Sequence, residues 1–231
     1  CRQNQQRNVF YHDLSSLDAE FQKLLPFTLT GAQQRAVKEI THDLGLNHPM
    51  NRMLQGDVGS GKTVIAAYAA FAAIRSGYQA AIMAPTEILA QQHYLKLCQL
   101  LEPAGLRICL LKGSLSKKKK LQIAEQLKAG EFDLAVGTHA LIQESVEFAN
   151  LGLVVVDEQH KFGVLQRQAL SRKSGTHLNC DVLLMTATPI PRTLALILYG
   201  DLDISIIDEL PPGRQKIDTF AVTKSLEERV N

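Results

Sequence analysis

Residues 51–77, NRMLQGDVGSGKTVIAAYAAFAAIRSG, place a glycine-rich loop between a short apolar run and a long alanine-rich run. This order is typical of a strand that turns directly into a helix, because glycine accepts the backbone angles of a tight turn. The rest of the chain repeats the alternation of short strand-like runs with longer helical runs. The alternation therefore decides which fold class we predict.

Strand-like and helical runs alternate through most of the chain. The strand-like runs are residues 53–55, 80–83, 107–111, 132–136, 153–156 and 182–185. The helical runs are residues 15–25, 30–45, 63–76, 86–101, 117–129 and 164–172. Short apolar strands separated by helices of this length indicate a parallel sheet that is covered on both faces. We therefore predict an α/β fold, with a doubly wound, mostly parallel sheet and helices on both faces. At the start of the first helix, Ser15 and Asp18 have the spacing of a capping box.

Polar or glycine-rich stretches follow five of the predicted strands, in the order GDVGSGKT, APTE, GTHA, DEQH and TATP. In a parallel sheet, these stretches would lie at the same edge. Ligands of open α/β sheets bind outside the carboxyl ends of the strands. The sequence therefore predicts a functional site at this edge.

The loop of residues 56–63 fits the phosphate-binding pattern G-x-x-x-x-G-K-T in full. Its backbone N–H groups, together with the start of the next helix, would form a nest for phosphate oxygens. Lys62 would reach the β- and γ-phosphates, and the Thr63 hydroxyl would ligate Mg²⁺. A glycine-rich turn with a chance lysine is the alternative, and the flanking strand and helix argue against it. The predicted nucleotide-binding residues are Gly56, Asp57, Val58, Gly59, Ser60, Gly61, Lys62 and Thr63.

Two adjacent carboxylates follow the apolar run LVVV. Asp157 is placed to hold Mg²⁺, and Glu158 is placed to orient or deprotonate an attacking water. An acidic turn without a function is the alternative, but the magnesium ion of a phosphate-binding loop needs such a carboxylate. Together with Lys62 as a catalytic residue and Thr63 as a second metal ligand, these residues indicate hydrolysis of a nucleoside triphosphate.

The ordered motifs resemble those of the superfamily 2 helicases and translocases, over about residues 27–222. More narrowly, LPFTLTGAQQRAV, MAPTEILAQQH, DEQHKFGVLQR, TATPIPRTLA and DLDISIIDELPPGR resemble the RecG family. RecG proteins are bacterial DNA translocases that remodel stalled replication forks and Holliday junctions. The transcription-repair coupling factors share several of these stretches, but they have DEEH in place of DEQH and lack DELPPGR. The resemblance implies a RecA-like ATPase lobe that uses ATP and Mg²⁺.

The resemblance also implies roles for further residues. Phe27 would lie beside adenine and Gln33 would read the adenine edge, although a core phenylalanine and a surface glutamine are the alternative. Gln159 and His160 complete the DEQH motif and are expected to contact the γ-phosphate side or Thr186. Thr86 is expected to touch the DNA backbone, to cap a helix, or to do both. The expected DNA-contacting or coupling residues are Pro85, Thr86, Glu87, Thr138, His139, Thr186, Thr188 and Arg192.

Two other groups of basic residues are given no site. The four lysines at 117–120 are read as a solvated helix face. The remaining histidines show no spacing typical of metal ligands, so we expect no metal besides Mg²⁺; they are His12, His42, His48, His93 and His177.

The RecG resemblance implies a division of the chain. Residues 1–26 would be a linker and a short helix from an upstream domain, 27–222 the first RecA-like motor lobe, and 223–231 the start of a connection to a second lobe. The chain begins without methionine and ends in a helical pattern, so we expect a piece of a larger protein. Its partners would be that second lobe, a wedge domain and branched duplex DNA, and the piece alone would bind ATP but hydrolyse it weakly.

Net charge, cysteine spacing and the length of apolar runs indicate the compartment in which the protein is expected. The net charge of +2 is too small to indicate nucleic-acid binding by itself. The four cysteines have neither CxxC nor framework spacing, which favours a reducing compartment. There is no apolar run of transmembrane length and no signal-peptide pattern. We therefore expect a cytoplasmic bacterial protein that is monomeric and does not bind membranes.

The leading interpretation is the motor lobe of an ATP-dependent DNA helicase that acts in recombination and repair. A coupling-factor-like duplex translocase and a nucleotide-switched binding module remain as alternatives. A DEAD-box RNA helicase is disfavoured, because the chain has DEQH, and TAT rather than SAT. A small-molecule kinase is disfavoured because the loops are too short for a substrate lid.

Overall fold

The computed structural model describes residues 11, 14–143, 145–157, 180–188 and 202–209. Within these ranges, the helices are α1 (Leu14–Leu24), α2 (Gly31–Leu44), α3 (Lys62–Arg75), α4 (Glu87–Leu101) and α5 (Lys117–Lys128). The strands are β1 (Asn51–Gly56), β2 (Gln79–Met83), β3 (Ile108–Leu111), β4 (Leu134–Gly137), β5 (Leu151–Val156), β6 (Asp181–Thr186) and β7 (Asp203–Ile207). Short 3₁₀ turns occupy Glu102–Ala104 and His139–Ile142.

The seven strands form one sheet in the order β3-β4-β2-β5-β6-β1-β7, and every pairing is parallel. Strands β1 and β2 are consecutive in the sequence, but β5 and β6 lie between them in the sheet. The carboxyl ends of all strands therefore meet at one edge, with the helices on the two faces. This arrangement confirms the predicted doubly wound parallel sheet.

The core consists of two apolar layers, one on each face of the sheet. Alternate residues of a strand enter opposite layers, as Ala80 and Ala81 of β2 do. Residues 64–73 of α3 are all buried, and six of them are alanines. Small side chains let this helix pack closely against the sheet, which fixes the loop that precedes it.

The predicted elements that fall in the described ranges begin and end within two residues of the observed ones. Strand β7 was not predicted, and the predicted helix at 164–172 lies outside the described residues. The predicted capping box at Ser15 is wrong, because α1 already begins at Leu14. Asp18 accepts a hydrogen bond from the Tyr68 hydroxyl instead.

Helix α1 shares the core of the sheet. Its Phe21 is buried, and the ring centroid lies 5.5 Å from that of Phe71 on α3. The predicted domain boundary at residue 26 stays a prediction. Among the described residues, no helix is both long and apolar enough to span a membrane.

Candidate functional site

The glycine-rich loop joins the carboxyl end of β1 to the first residue of α3. Gly59 and Gly61 have φ angles of 81° and 94°, in the left-handed region that favours glycine. A Cβ atom on Gly61 would also lie 2.2 Å from Nε2 of Gln33. The two glycines therefore let the backbone follow a path that other residues would obstruct.

Gln33 holds this loop in place from the first turn of α2. Its side chain is 2% exposed, so the alternative of a surface glutamine is wrong. The Nε2 atom donates to the Ser60 carbonyl at 2.9 Å, and Oε1 accepts from the Thr30 N–H at 3.0 Å. The Thr30 hydroxyl in turn accepts a hydrogen bond from the Gln33 N–H at 3.2 Å, which completes a capping box. These two bonds leave the amide one further N–H and one further acceptor position.

Lys62 is the first residue of α3, and its side chain extends back over the glycine-rich loop. Its Nζ atom donates to the carbonyl oxygens of Gly56 at 2.6 Å and Asp57 at 2.9 Å. The ammonium group is therefore held over the carbonyl oxygens of the loop, where it can exchange these acceptors for phosphate oxygens. The Ser60 hydroxyl is buried and has no hydrogen-bond partner among the described residues.

A cavity of about 1090 Å³ connects the loop to other predicted site residues. Gly59, Lys62 and Thr63 line it at the loop, and Asp157 lines it at the end of β5. Phe27 and Gln33 also line the cavity, and the Phe27 side chain is exposed. Residues 27, 33, 59, 61–63 and 157, which are distant in the sequence, therefore share one cavity.

Asp157 is buried and is held by the segment that contains β2 and α4. Its carboxylate oxygen Oδ2 lies 2.6 Å from Nε2 of His93 on α4. Its backbone N–H donates to the carbonyl of Met83, the last residue of β2, at 2.8 Å. His93 is among the histidines to which no role is assigned from the sequence. The signal that was missed is position: His93 shares the buried face of α4 with Ala90, Leu97 and Leu101, so it is a polar residue within an apolar stripe.

The start of α4 lies at the same edge of the sheet. Thr86 caps the helix by accepting a hydrogen bond from the Leu89 N–H at 3.3 Å, and its side chain is exposed. Glu87 accepts from the Ser114 N–H at 2.8 Å and the Ser114 hydroxyl at 2.6 Å, and these bonds lower the pKa of Glu87. Glu87 therefore ties the loop before α5 to α4.

Two further predicted motifs follow β4 and β6. Thr138 is buried, and its hydroxyl has no hydrogen-bond partner among the described residues, whereas His139 is exposed. Thr186 is fully buried at the end of β6, and its hydroxyl lies 3.0 Å from that of Thr188.

The remaining predicted site residues are exposed, partly buried or outside the described ranges. Asp57 and Val58 are exposed in the loop, and Pro85 is partly buried. Lys117, Lys118 and Lys119 are exposed, as predicted for a solvated face. The predicted residues that lie outside the described ranges are Glu158, Gln159, His160 and Arg192.

Comparisons with known proteins identify the family of this chain. The family model described as "DEAD/DEAH box helicase" matches residues 30–197. The ATP-dependent DNA helicase RecG of Aquifex aeolicus is 56% identical over 207 residues, which are 89% of this chain and 26% of that protein. The RecG of Synechocystis sp. is 55% identical over 222 residues, which are 96% of this chain and 26% of that protein.

A solved structure of RecG bound to a three-way DNA junction also matches. Its TM-score is 0.84 at 43% identity, and the match covers 99% of this chain and 30% of the solved one. These findings confirm the predicted resemblance to RecG. The chain spans about a quarter of the length of the two curated relatives.

Proposed function

Because this chain belongs to the DEAD/DEAH box helicase family, we propose that it is the ATP-binding motor lobe of a RecG-like ATP-dependent DNA helicase. The observation that carries the proposal is the single cavity that joins the glycine-rich loop to Asp157. Similarity to RecG over most of the chain supports DNA rather than another polymer as the substrate.

ATP is proposed to bind with its phosphates in the loop of residues 56–63. Lys62 would leave the carbonyl oxygens of Gly56 and Asp57 and donate to the β- and γ-phosphates. The loop N–H groups and the start of α3 would bind the remaining phosphate oxygens. Phe27 would pack against adenine, while Gln33 holds the loop through Ser60.

Mg²⁺ is proposed to be held by Thr63 and Asp157. Hydroxyl and carboxylate oxygens are the ligands that this ion prefers, and both residues line the cavity next to Lys62. Bound there, the ion would neutralise charge on the phosphate oxygens. Glu158 is proposed as the residue that orients or deprotonates the attacking water, with Gln159 and His160 near the γ-phosphate.

The DNA backbone is proposed to lie along the edge of the sheet at the start of α4. The exposed Thr86 and His139 would contact phosphates together with Pro85. Glu87 and the buried Thr138 would support these contacts, because Glu87 is bonded to Ser114 and the Thr138 hydroxyl faces the interior. Thr186, Thr188 and Arg192 are proposed to couple the state of the nucleotide to this edge.

The intact protein is proposed to remodel branched duplex DNA, such as forks and Holliday junctions. Its partners within the same protein would be a second RecA-like lobe and a wedge domain. We propose a monomeric bacterial protein that acts in the cytoplasm. The division of this chain at residues 26 and 222 is part of the same proposal.

The decisive experiment measures ATP hydrolysis by the intact protein with a four-way DNA junction, linear duplex DNA and single-stranded RNA. We expect the junction to stimulate turnover more than linear duplex, and RNA to have no effect. Lys62→Ala is expected to abolish turnover, whereas Lys38→Ala, on the exposed face of α2, should retain it.

The other possible results of this experiment would favour one of the alternative functions or contradict the proposed substrate. Equal stimulation by junction and linear duplex would favour a coupling-factor-like translocase. Stimulation by RNA alone would contradict the proposed substrate. ATP binding without turnover on any nucleic acid would leave only a nucleotide-switched binding module.

A further inference from the structure

We propose that His93 is a positioning residue for the carboxylate of Asp157, and that through it α4 sets how tightly the cavity holds magnesium-bound nucleotide. This inference rests on the proposed function, because it assigns Asp157 to Mg²⁺. It adds a function for His93, which ends the stretch MAPTEILAQQH but has no role assigned from the sequence, and which lies on the helix that Thr86 caps.

The contact between the two side chains is short and largely shielded from water. His93 Nε2 and Asp157 Oδ2 are 2.6 Å apart, and each residue is 8% exposed. Because an ionised carboxylate can only accept hydrogen bonds, the proposal assigns the proton of this contact to Nε2 of His93. A hydrogen bond to a charged acceptor at this distance is among the stronger ones in proteins.

The same segment also holds the backbone of Asp157. The Asp157 N–H donates to the Met83 carbonyl at 2.8 Å, and Met83 ends β2 just before α4 begins. One bond therefore fixes where the residue leaves β5, and the other restricts rotation of its carboxylate. Both partners belong to a single strand–helix unit, so a displacement of α4 would be transmitted to Asp157.

A magnesium ligand needs this kind of restraint. Carboxylates that bind a metal are oriented by hydrogen bonds from neighbouring groups, and loss of such a partner lowers metal affinity about 10–100-fold. Mg²⁺ is particularly sensitive, because it demands nearly ideal octahedral geometry. His93 lines the same cavity as Thr63 and Asp157, which places the restraint beside the proposed metal ligands.

The test compares nucleotide binding with and without the metal in the intact protein. A fluorescent ADP analogue is titrated in EDTA and then over a series of Mg²⁺ concentrations. For His93→Leu we expect the Mg²⁺ concentration of half-maximal effect to rise about tenfold or more, while affinity in EDTA is unchanged. A purely structural role would weaken binding equally under both conditions.

Two further variants test whether a hydrogen-bond donor at the position of His93 Nε2 is required for the magnesium dependence. In His93→Gln the amide nitrogen is three bonds from Cβ, as Nε2 is in histidine, so this variant should retain most of the magnesium dependence. In His93→Asn the nitrogen is one bond closer, and the dependence should be weakened as in His93→Leu. This pair decides the question even where His93→Leu does not fold. His42→Leu, at an exposed position of α2, is the matched control and should behave as the wild type.

The outcomes separate the two proposals. Equal magnesium dependence in the wild type and His93→Leu, or in the Gln and Asn variants, overturns the role of His93 and leaves the proposed function intact. A wild type whose nucleotide binding shows no response to Mg²⁺ overturns both.

Discussion

Gly61 lies where the loop enters α3, with a φ of 94° and the side chain of Gln33 packed against it. Two physical effects meet at this residue, because a side chain would be strained by the backbone angle and would also collide with Nε2 of Gln33, 2.2 Å away. Gly77 has a similar φ of 87°, but no atom lies within 4 Å of a Cβ placed there. The two glycines therefore form a natural pair for separating strain from crowding.

Gly61→Ala is predicted to abolish nucleotide binding and to lower the free energy of unfolding by more than Gly77→Ala does. The backbone strain common to both variants costs about 1–3 kcal/mol. Only Gly61→Ala must also displace Gln33 from the Ser60 carbonyl. Urea unfolding and titration with a fluorescent nucleotide check the two parts. Equal unfolding free energies for the two variants would show that crowding by Gln33 contributes nothing.

At the scale of elements, an arginine joins β1, α2 and β7. Arg52 is buried, and its guanidinium donates to Asp43 at 2.8 Å and to Glu39 at 3.1 Å, both on α2. It also donates to the Ser205 hydroxyl of β7 at 2.9 Å. These bonds attach the edge strand β7 and the helix that carries Gln33 to the strand that precedes the glycine-rich loop.

Arg52→Met is predicted to lower the free energy of unfolding by about 3–5 kcal/mol, because it leaves buried Asp43 without this charged partner. Arg35 offers a matched control: it lies on α2 and pairs with Asp208, but both side chains are more than half exposed. Arg35→Met should therefore cost only about 0–1 kcal/mol. Urea unfolding measures both. A similar loss of unfolding free energy in the two variants would mean that burial does not strengthen the interaction of Arg52 with its partners.

The sequence predicts those elements whose pattern is local. Continuous apolar runs such as 153–156 indicate strands buried on both faces. The spacing from Gly56 to the pair Gly61-Lys62 is typical of a phosphate-binding loop. Strand β7 escaped prediction because DISII has a half-exposed, mixed pattern: Ile206 is exposed while Ser205 is buried. The burial of this serine is explained by its hydrogen bonds to Arg52, which lies 153 positions away, and to Glu39 on α2.

The contacts inside the site escaped prediction for the same reason. Gln33 and Ser60 are 27 positions apart, and His93 and Asp157 are 64 apart. No periodic pattern links such residues, because their proximity is created by the order of strands in the sheet. The loop, the carboxylate and Gln33 could therefore be identified from the sequence, but not that Gln33 holds the loop or that His93 contacts the carboxylate.

At the scale of the whole molecule, the proposed nucleotide cavity and the proposed DNA edge share one edge of one sheet. Helix α4 belongs to both, since Thr86 caps its start and His93 reaches Asp157 two turns later. Beside the cavity, the side chains of Phe27 and Val58 are 53% and 72% exposed. Both residues line the cavity, so a nucleotide or a second lobe bound there would cover these apolar side chains.

The 231-residue chain on its own is predicted to bind ATP with Mg²⁺ but to turn it over slowly, without stimulation by DNA. The RecG resemblance implies that a second lobe closes over the nucleotide and supplies an arginine, and such a residue is worth about 10³–10⁵ in rate. The curated relatives are long enough to carry this lobe, because the matched segment is only 26% of their length.

This prediction is checked by measuring ATP hydrolysis by the chain and by the intact protein side by side, with and without a four-way junction. Binding of a fluorescent nucleotide to the chain, and its loss in Lys62→Ala, would show that the site is formed. A large stimulation in the intact protein and none in the chain is the expected result. Robust junction-stimulated turnover by the chain alone would contradict it, because the groups at the edge of this one sheet would then suffice for catalysis and for coupling to DNA.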